Sequence, residues 1–227
     1  GAFKKLKEKY KFIGYIVSII PVIIFPYYCV IGGWVTKYMV EFISGNVAAA
    51  AADGFFEGFI GQPLQPILWF ALFLGLTAIV VLCGVEKGVE KVSKIMMPVL
   101  VVLTIFIAGY SMFMPGALEG VKFYLMPDFS KFSATTVLAA MGQLFYSMSL
   151  AMGIMITYGS YMKKDVNLES SVRQIEIFDT GIAFLAGLMI IPAVFAMGGD
   201  VNKGPGLMFV TLPMVFDKMN GGGIIGT

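Results

Sequence analysis

The longest uncharged stretch of the chain runs from Phe132 to Met162 and most constrains its fold. It exceeds the ~20 residues that cross the hydrocarbon core of a bilayer as a helix. Its centre, Gly142 to Gly153, nevertheless contains a glutamine, a tyrosine and two serines. Polar side chains and flexible backbone at that depth are costly unless they line a cavity or a binding site. The stretch therefore predicts a transporter with a substrate or ion site in the middle of the bilayer.

Composition places the whole chain in the membrane class. It is 58% hydrophobic and 13% charged, whereas soluble domains carry about 25% charged residues. We therefore expect an all-α integral membrane protein. The net charge of +2 gives no reason to expect nucleic-acid binding. The absence of histidine removes the commonest catalytic base and metal ligand, so we do not expect an enzyme.

Charged residues divide the sequence into five uncharged runs that are each long enough to span a bilayer. We treat residues 1–227 as one transmembrane region and expect it to be a fragment of a longer transporter. A further run, Gly204 to Phe216, contains two prolines and is too short to span. We therefore expect residues 200–227 to be an extracellular loop with a re-entrant segment. The expected spans are approximately 12–36, 67–85, 95–116, 134–161 and 172–198.

Basic residues predict the orientation. The N-terminal segment, the 86–94 loop and the 163–176 loop hold eleven of the 16 lysine and arginine residues, and the alternate loops hold five. Basic residues accumulate on the cytoplasmic side. We therefore expect a multi-pass protein of the cell (inner) membrane, in contact with the lipid bilayer, with a cytoplasmic N-terminus and an extracellular C-terminus.

Several stretches, in this order along the chain, resemble the neurotransmitter:sodium symporter family in its bacterial amino-acid transporter branch. Pro26-Tyr27-Tyr28 with Trp34 is similar to the family's third helix, and Gly88 with Pro98 matches the Gly-x9-Pro spacing at the start of the fifth. Gly142–Gly153 with Ile156–Tyr161 is similar to the family's sixth helix. Asp179-Thr180 with Ala186-Gly187 and Ile191-Pro192 is similar to the seventh helix, and Thr211-Leu212-Pro213 is similar to the loop that follows it.

The resemblance implies an inverted-repeat, broken-helix transporter fold. It covers helices three to seven and the extracellular loop that follows. Helices one, two and eight, which would supply the other half of the substrate site and most sodium ligands, are outside this sequence. The family's sixth helix is interrupted at its centre, which exposes backbone groups to substrate and ion.

Two serines are the first candidate site residues. On a continuous helix, Ser147 and Ser149 would face opposite ways, so both can line one cavity only if the helix breaks before Gly153. The resemblance implies that Ser147 ligates sodium and contacts substrate, and that Ser149 lines the substrate pocket. Without the resemblance, the favoured interpretation is that both serines bond to carbonyls of their own helix or pack at a helix contact.

Further substrate-binding residues are implied by the resemblance. Tyr28 would bond to the substrate carboxylate, and Ile24, one turn earlier, would face the substrate side chain. Tyr146 would close over the substrate, and Met152 would line an apolar subsite. An apolar or aromatic amino acid would fit these residues, although ordinary core packing is the alternative for each aromatic or methionine.

Asp179 is implied to ligate sodium in place of an asparagine found in relatives. Carboxylate oxygens suit a hard cation, and the same charge could replace chloride, whose expected position lies near Gln143. The resemblance therefore predicts chloride-independent transport. The alternative is an aspartate at the membrane interface, because Thr180 to Gly199 is long enough to span without it.

Three residues are implied to act in gating. Tyr161 would belong to an inner gate, and Gly88 with Pro98 would let the start of the fifth helix unwind. A plain loop and helix start is the alternative for the Gly88/Pro98 pair.

The leading functional prediction is a sodium-coupled symporter that imports amino acids or related small amines by alternating access, with no organic cofactor. A proton-coupled broken-helix transporter with Asp179 as proton carrier is the alternative. A structural membrane subunit is a third possibility, but it would leave the polar centre of residues 142–153 unexplained.

Overall fold

Helices form most of the chain, as its long apolar runs require. The computed structural model describes residues 2–150, 152–162, 166–202, 204, 206–219 and 222–226. Short 3-10 turns occupy Glu8–Tyr10 and Phe129–Lys131, and a π-helical turn occupies Val85–Glu90. The α-helices are α1 (Ala2–Leu6), α2 (Lys11–Ile43), α3 (Val47–Ala50), α4 (Phe55–Ile60), α5 (Gln65–Leu82), α6 (Lys91–Met112), α7 (Ala117–Leu125), α8 (Ala134–Ser147), α9 (Ile154–Tyr161), α10 (Leu168–Ala196), α11 (Gly206–Lys218) and α12 (Gly222–Ile225).

Four segments of the described chain are long and apolar enough to cross a membrane. The expected span 134–161 is not among them, because it consists of two shorter helices, α8 and α9. Helix α2 continues to Ile43, beyond the expected limit at residue 36. The four segments are Glu8–Ile43, Gln65–Leu82, Gly88–Met112 and Leu168–Ala196.

The chain forms two compact units. The first contains residues 1–27 and 128–183, and the second contains residues 28–127 and 184–227. Helices α8 and α9 belong to the first unit, and α3 to α7, α11 and α12 belong to the second. Helices α2 and α10 each contribute to both.

An aromatic core holds the second unit together. Phe56 and Phe209 stack with ring centroids 5.3 Å apart, and Trp34 meets their edges at 5.2 and 5.5 Å. Phe42 meets Phe216 edge-on at 5.6 Å. Such pairs add about 0.5–1.5 kcal/mol each beyond the area they bury. The core explains why residues 206–218 form a helix packed on α3 and α4 and not an unstructured loop.

Glycine permits a close crossing of α2 and α5. A Cβ atom at Gly33 would lie 2.7 Å from the backbone nitrogen of Phe70 and 2.9 Å from the carbonyl carbon of Trp69. Backbone atoms cannot move aside as a flexible side chain can, so any larger residue at Gly33 would push the two helices apart.

A charged pair lies where α2 meets the short helices of the second unit. Lys37 forms an ion pair with Glu41, and each side chain is only 16% exposed. The Glu41 carboxylate also accepts a hydrogen bond from Asn46 at 2.9 Å. The Lys37 ammonium lies 5.8 Å from the Phe55 ring centroid and 5.7 Å from that of Trp69. These contacts link three helices around one cation.

Helix α7 packs closely on α10. A Cβ atom at Gly120 would lie 2.7 Å from the Cα atom of Pro192. A Cβ atom at Gly187 would overlap the end of the Tyr124 ring. The Tyr124 hydroxyl donates to the backbone carbonyl of Phe184 at 3.4 Å. Two glycines, one on each helix, therefore provide the space in which these helices meet.

Candidate functional site

The helix is interrupted after Ser147, as Ser147 and Ser149 need if both are to line one cavity. Helix α8 ends at Ser147, and α9 begins at Ile154. The Leu150 N–H donates to the Phe145 carbonyl at 2.9 Å, and the Ser149 N–H donates to the Tyr146 carbonyl at 3.1 Å. This pair of bonds is a Schellman motif, which ends a helix by turning one residue into the left-handed region.

Ser149 is that residue, with φ of 54°. Glycine usually occupies this position, because a side chain there costs about 1–2 kcal/mol. Backbone strain of this kind occurs mainly at functional sites. The unfavourable conformation therefore marks the break as a feature that the surrounding structure maintains.

Gly153 begins the second half of the interrupted helix. It has φ of +74° and precedes the first residue of α9. A Cβ atom at Gly153 would lie 2.6 Å from a methyl carbon of Val17 on α2. Conformation and close packing thus both favour glycine here. Ala151, between the two halves, lies outside the described residues.

Ser147 and Asp179 meet in the first unit. The Ser147 hydroxyl lies 2.7 and 2.8 Å from the two carboxylate oxygens of Asp179. Asp179 is half-buried, and Ser147 is exposed. Because α10 begins at Leu168, Asp179 lies about 16 Å along the helix and not at its start. The pair places a carboxylate and a hydroxyl, both hard oxygen ligands, at the end of the interrupted helix.

The remaining predicted substrate and anion residues lie near the break or on α2. Gln143 is one turn before Ser147 on α8, so the two share a face of that helix. Tyr146 is 36% exposed, and Met152 is half-buried within the break. Ile24 is half-buried, and Tyr28, one turn later on α2, is 52% exposed.

The predicted gating residues lie in different elements. Tyr161 ends α9 and is 61% exposed, and the adjacent residues Lys163 to Asp165 lie outside the described part of the chain. Gly88 lies in the π-helical turn before α6, where a Cβ atom would overlap the Val80 carbonyl oxygen. Pro98 lies inside α6 and not in its first turn, so it removes an internal hydrogen bond and favours a bend.

The structure adds features that the sequence analysis missed. The left-handed backbone of Ser149 was not expected, because serine gives no local signal for it. The contact between Tyr124 and Gly187 was also missed, although a glycine in an apolar helix next to a short aromatic helix is a signal for close packing.

These features match a known family. The family model described as the sodium:neurotransmitter symporter family matches residues 60–226. The chain belongs to this family. It is a transporter family and not an enzyme family, and the interrupted α8–α9 segment is consistent with its fold.

Individual transporters are similar to most of the chain. An uncharacterized sodium-dependent transporter of Bacillus subtilis, YhdH, is 39% identical over 87% of this chain and 44% of its own length. The crystal structure of MhsT in complex with L-phenylalanine matches 95% of this chain and 50% of its own chain, with 44% identity and a TM-score of 0.89. Human sodium- and chloride-dependent creatine transporter 1 is 29% identical over 60% of this chain and 23% of its length. The chain spans about half the length of the bacterial relative and of MhsT.

Proposed function

We propose that the full-length protein is a sodium-coupled symporter that imports amino acids or related small amines by alternating access. The observation that carries this proposal is the contact between Ser147 and Asp179 at the end of an interrupted membrane helix. A sodium ion would be cotransported substrate and not a resident cofactor. Family membership supports the sodium coupling.

The proposed sodium site uses oxygen atoms from both residues. The Asp179 carboxylate supplies the negative charge that a monovalent cation needs, and Ser147 adds a neutral oxygen close by. When sodium is absent, the hydroxyl hydrogen points at the carboxylate, as the two short distances allow. When sodium binds between the two side chains, the hydroxyl rotates and presents a lone pair to the ion.

The proposed substrate site surrounds the same break. The first N–H groups of α9 have no partner within their own helix, so they remain available to other groups. Ser147, Ser149, Tyr146, Met152 and Ile24 would contact the substrate, and Tyr28 would bond to its carboxylate. An aromatic or apolar amino acid fits these side chains. The MhsT crystal structure contains L-phenylalanine, which supports this substrate class.

We further propose that transport does not require chloride. The Asp179 carboxylate contacts Ser147 at the end of α8, and Gln143 lies one turn from Ser147 on the same helix. A carboxylate at this place would perform the charge compensation otherwise performed by an anion. This proposal distinguishes the chain from the human creatine transporter, which is described as chloride-dependent.

Gating roles are proposed for three residues, one at the end of α9 and two near the start of α6. We propose that Tyr161 contributes to a cytoplasmic gate, and that Gly88 and Pro98 allow the start of α6 to unwind and admit water. The π-helical turn that contains Gly88 supports this, because such turns distort regular helical hydrogen bonding.

Uptake by the full-length protein in proteoliposomes tests the proposal. An inward sodium gradient should drive accumulation of phenylalanine or leucine, whereas a potassium gradient of the same size should not. Accumulation driven by an inward proton gradient without sodium would instead support the proton-coupled alternative, with Asp179 as carrier. Failure of all amino acids under both gradients would contradict the proposed substrate class.

A further inference from the structure

The positive charge of the chain is concentrated at its N-terminal end. The basic segment consists of Lys4, Lys5, Lys7, Lys9 and Lys11. Together with Glu8 it carries a formal charge of +4 from five lysines and one glutamate, whereas the whole chain carries +2. The rest of the chain is therefore net negative. Loop 86–94, with three lysines and two glutamates, carries only +1.

The lysines of the basic segment are exposed. Lys4 approaches Glu8 at 3.5 Å, but both side chains are more than half exposed, so this ion pair is weak. The Lys9 ammonium lies 5.3 Å from the Tyr10 ring centroid, and the Lys11 ammonium lies 5.9 Å from that of Tyr15. These contacts leave the ammonium groups available for an external anion.

Two of the lysines face one space. Lys4 and Lys11 belong to different helices, α1 and α2, and both line a cleft of about 340 Å³. Phe3 and Tyr15 line the same cleft. Two ammonium groups and two aromatic rings therefore surround a single opening, an arrangement that suits a phosphate group attached to apolar chains.

The first turns of α2 continue this pattern. Phe12 and Tyr15 are 59% and 60% exposed, and Ile16 and Ile19 are also exposed. Charged lysines followed directly by exposed aromatic and aliphatic residues match the order of headgroup, interface and acyl chain along a bilayer normal.

We propose that the basic segment binds anionic phospholipid. The lysines contact the headgroup phosphates, and the aromatic residues lie between headgroups and acyl chains. The basic segment differs from loop 86–94 in its higher net positive charge, because glutamates nearly balance the lysines of that loop. None of the side chains proposed to contact substrate or sodium lines the cleft, although Gly153 and Ile156 of the interrupted helix do.

Lipid binding to the purified full-length protein tests the proposal. Native mass spectrometry in detergent would measure the apparent Kd for phosphatidylglycerol and for phosphatidylcholine. Each lysine near an anionic surface contributes about fivefold in affinity. We expect phosphatidylglycerol to bind at least roughly tenfold more tightly than phosphatidylcholine. Changing all five lysines to glutamine should remove this preference.

Two further variants separate lipid binding from general effects of charge or folding. Changing the five lysines to arginine retains the charge and should preserve the preference. Lys122→Gln with Lys131→Gln removes two lysines from the opposite predicted side and should also preserve it. Inorganic phosphate at millimolar concentration should not displace the lipid.

Four results would overturn the proposal. One is equal binding of the two lipids by the unmodified protein. Another is an unchanged preference in the five-glutamine variant. The third is complete displacement by inorganic phosphate, which would indicate a free-anion site. A loss of preference in the arginine variant would also contradict a role based on charge.

Discussion

Ser147 and Asp179 are 32 residues apart in sequence, yet the hydroxyl of one lies 2.7 and 2.8 Å from both carboxylate oxygens of the other. The contact joins the last residue of α8 to the interior of α10. A helix end, a hydroxyl and a carboxylate thus converge at one point. This convergence is the basis of the proposed sodium site and of the first prediction.

Asp179→Asn should convert chloride-independent transport into chloride-dependent transport. The amide retains an oxygen ligand but loses the negative charge, and hydrogen bonds to charged groups contribute about 1.5–3 kcal/mol. Without chloride, we expect sodium-driven uptake to fall by roughly tenfold or more. Chloride should restore part of it. Uptake in chloride and in gluconate buffers would measure the effect. A variant that is as active as the unmodified protein in both buffers would contradict the prediction.

Ser149→Gly should stabilise the full-length protein, whereas Ser149→Val should destabilise it. Glycine adopts the left-handed conformation without strain, so we expect a gain of up to about 1 kcal/mol in the free energy of unfolding. A β-branched side chain should lose at least about 1 kcal/mol. Thermal unfolding in detergent measures both. Greater stability of the valine variant than of the glycine variant would show that Ser149 is not left-handed.

Gly187→Ala should destabilise the contact between α7 and α10. The new methyl group would overlap the Tyr124 ring, and overpacking of this kind costs about 1–3 kcal/mol. Gly181→Ala on the same helix provides the control, because no described atom of another element lies within 4 Å of its Cβ position. In a Tyr124→Leu background, Gly187→Ala should cost clearly less. Equal costs in both backgrounds would contradict the contact.

Lys37→Met should destabilise the second unit, because it leaves the half-buried Glu41 carboxylate without its cation. Removal of one partner of a buried ion pair costs about 3–5 kcal/mol. Because the Glu41 side chain is still 16% exposed, we expect a loss in the free energy of unfolding at or below the lower end of that range. The double variant Lys37→Met/Glu41→Leu should recover much of the loss. Thermal unfolding is the measurement, and a double variant less stable than Lys37→Met would show that the ion pair is not the cause.

The sequence predicted the parts of the molecule that depend on hydrophobic pattern and family motif. The helical membrane class was confirmed by the fold, and the resemblance was confirmed by the family match. The resemblance implied an interruption of the helix within residues 142–153, and α8 ends at Ser147 while α9 begins at Ile154. These features follow from local composition and from the order of motifs, both of which can be read from a single sequence.

Other features could not be predicted from composition or motif spacing. The left-handed conformation of Ser149 is imposed by its surroundings, since serine has no preference for it. Pro98 was expected near the start of its helix because the apolar run begins only at Ile95. Helix α6 in fact begins at Lys91 with a charged first turn, so Pro98 lies inside it. The Lys37–Glu41 pair was overlooked because an i, i+4 ion pair looks the same in sequence whether it is exposed or half-buried. The functional roles of the site residues stay predictions.

The most direct test of the sodium site is sodium-dependent binding of radiolabelled substrate to the full-length protein and to Ser147→Ala. Loss of one oxygen ligand should raise the sodium concentration needed for half-maximal binding by roughly tenfold. Ser160→Ala removes an exposed hydroxyl of α9 that bonds to the Thr157 carbonyl, and it should leave that concentration unchanged. An unaltered sodium requirement in Ser147→Ala, or substrate binding that needs no sodium at all, would contradict a sodium site formed by Ser147 and Asp179.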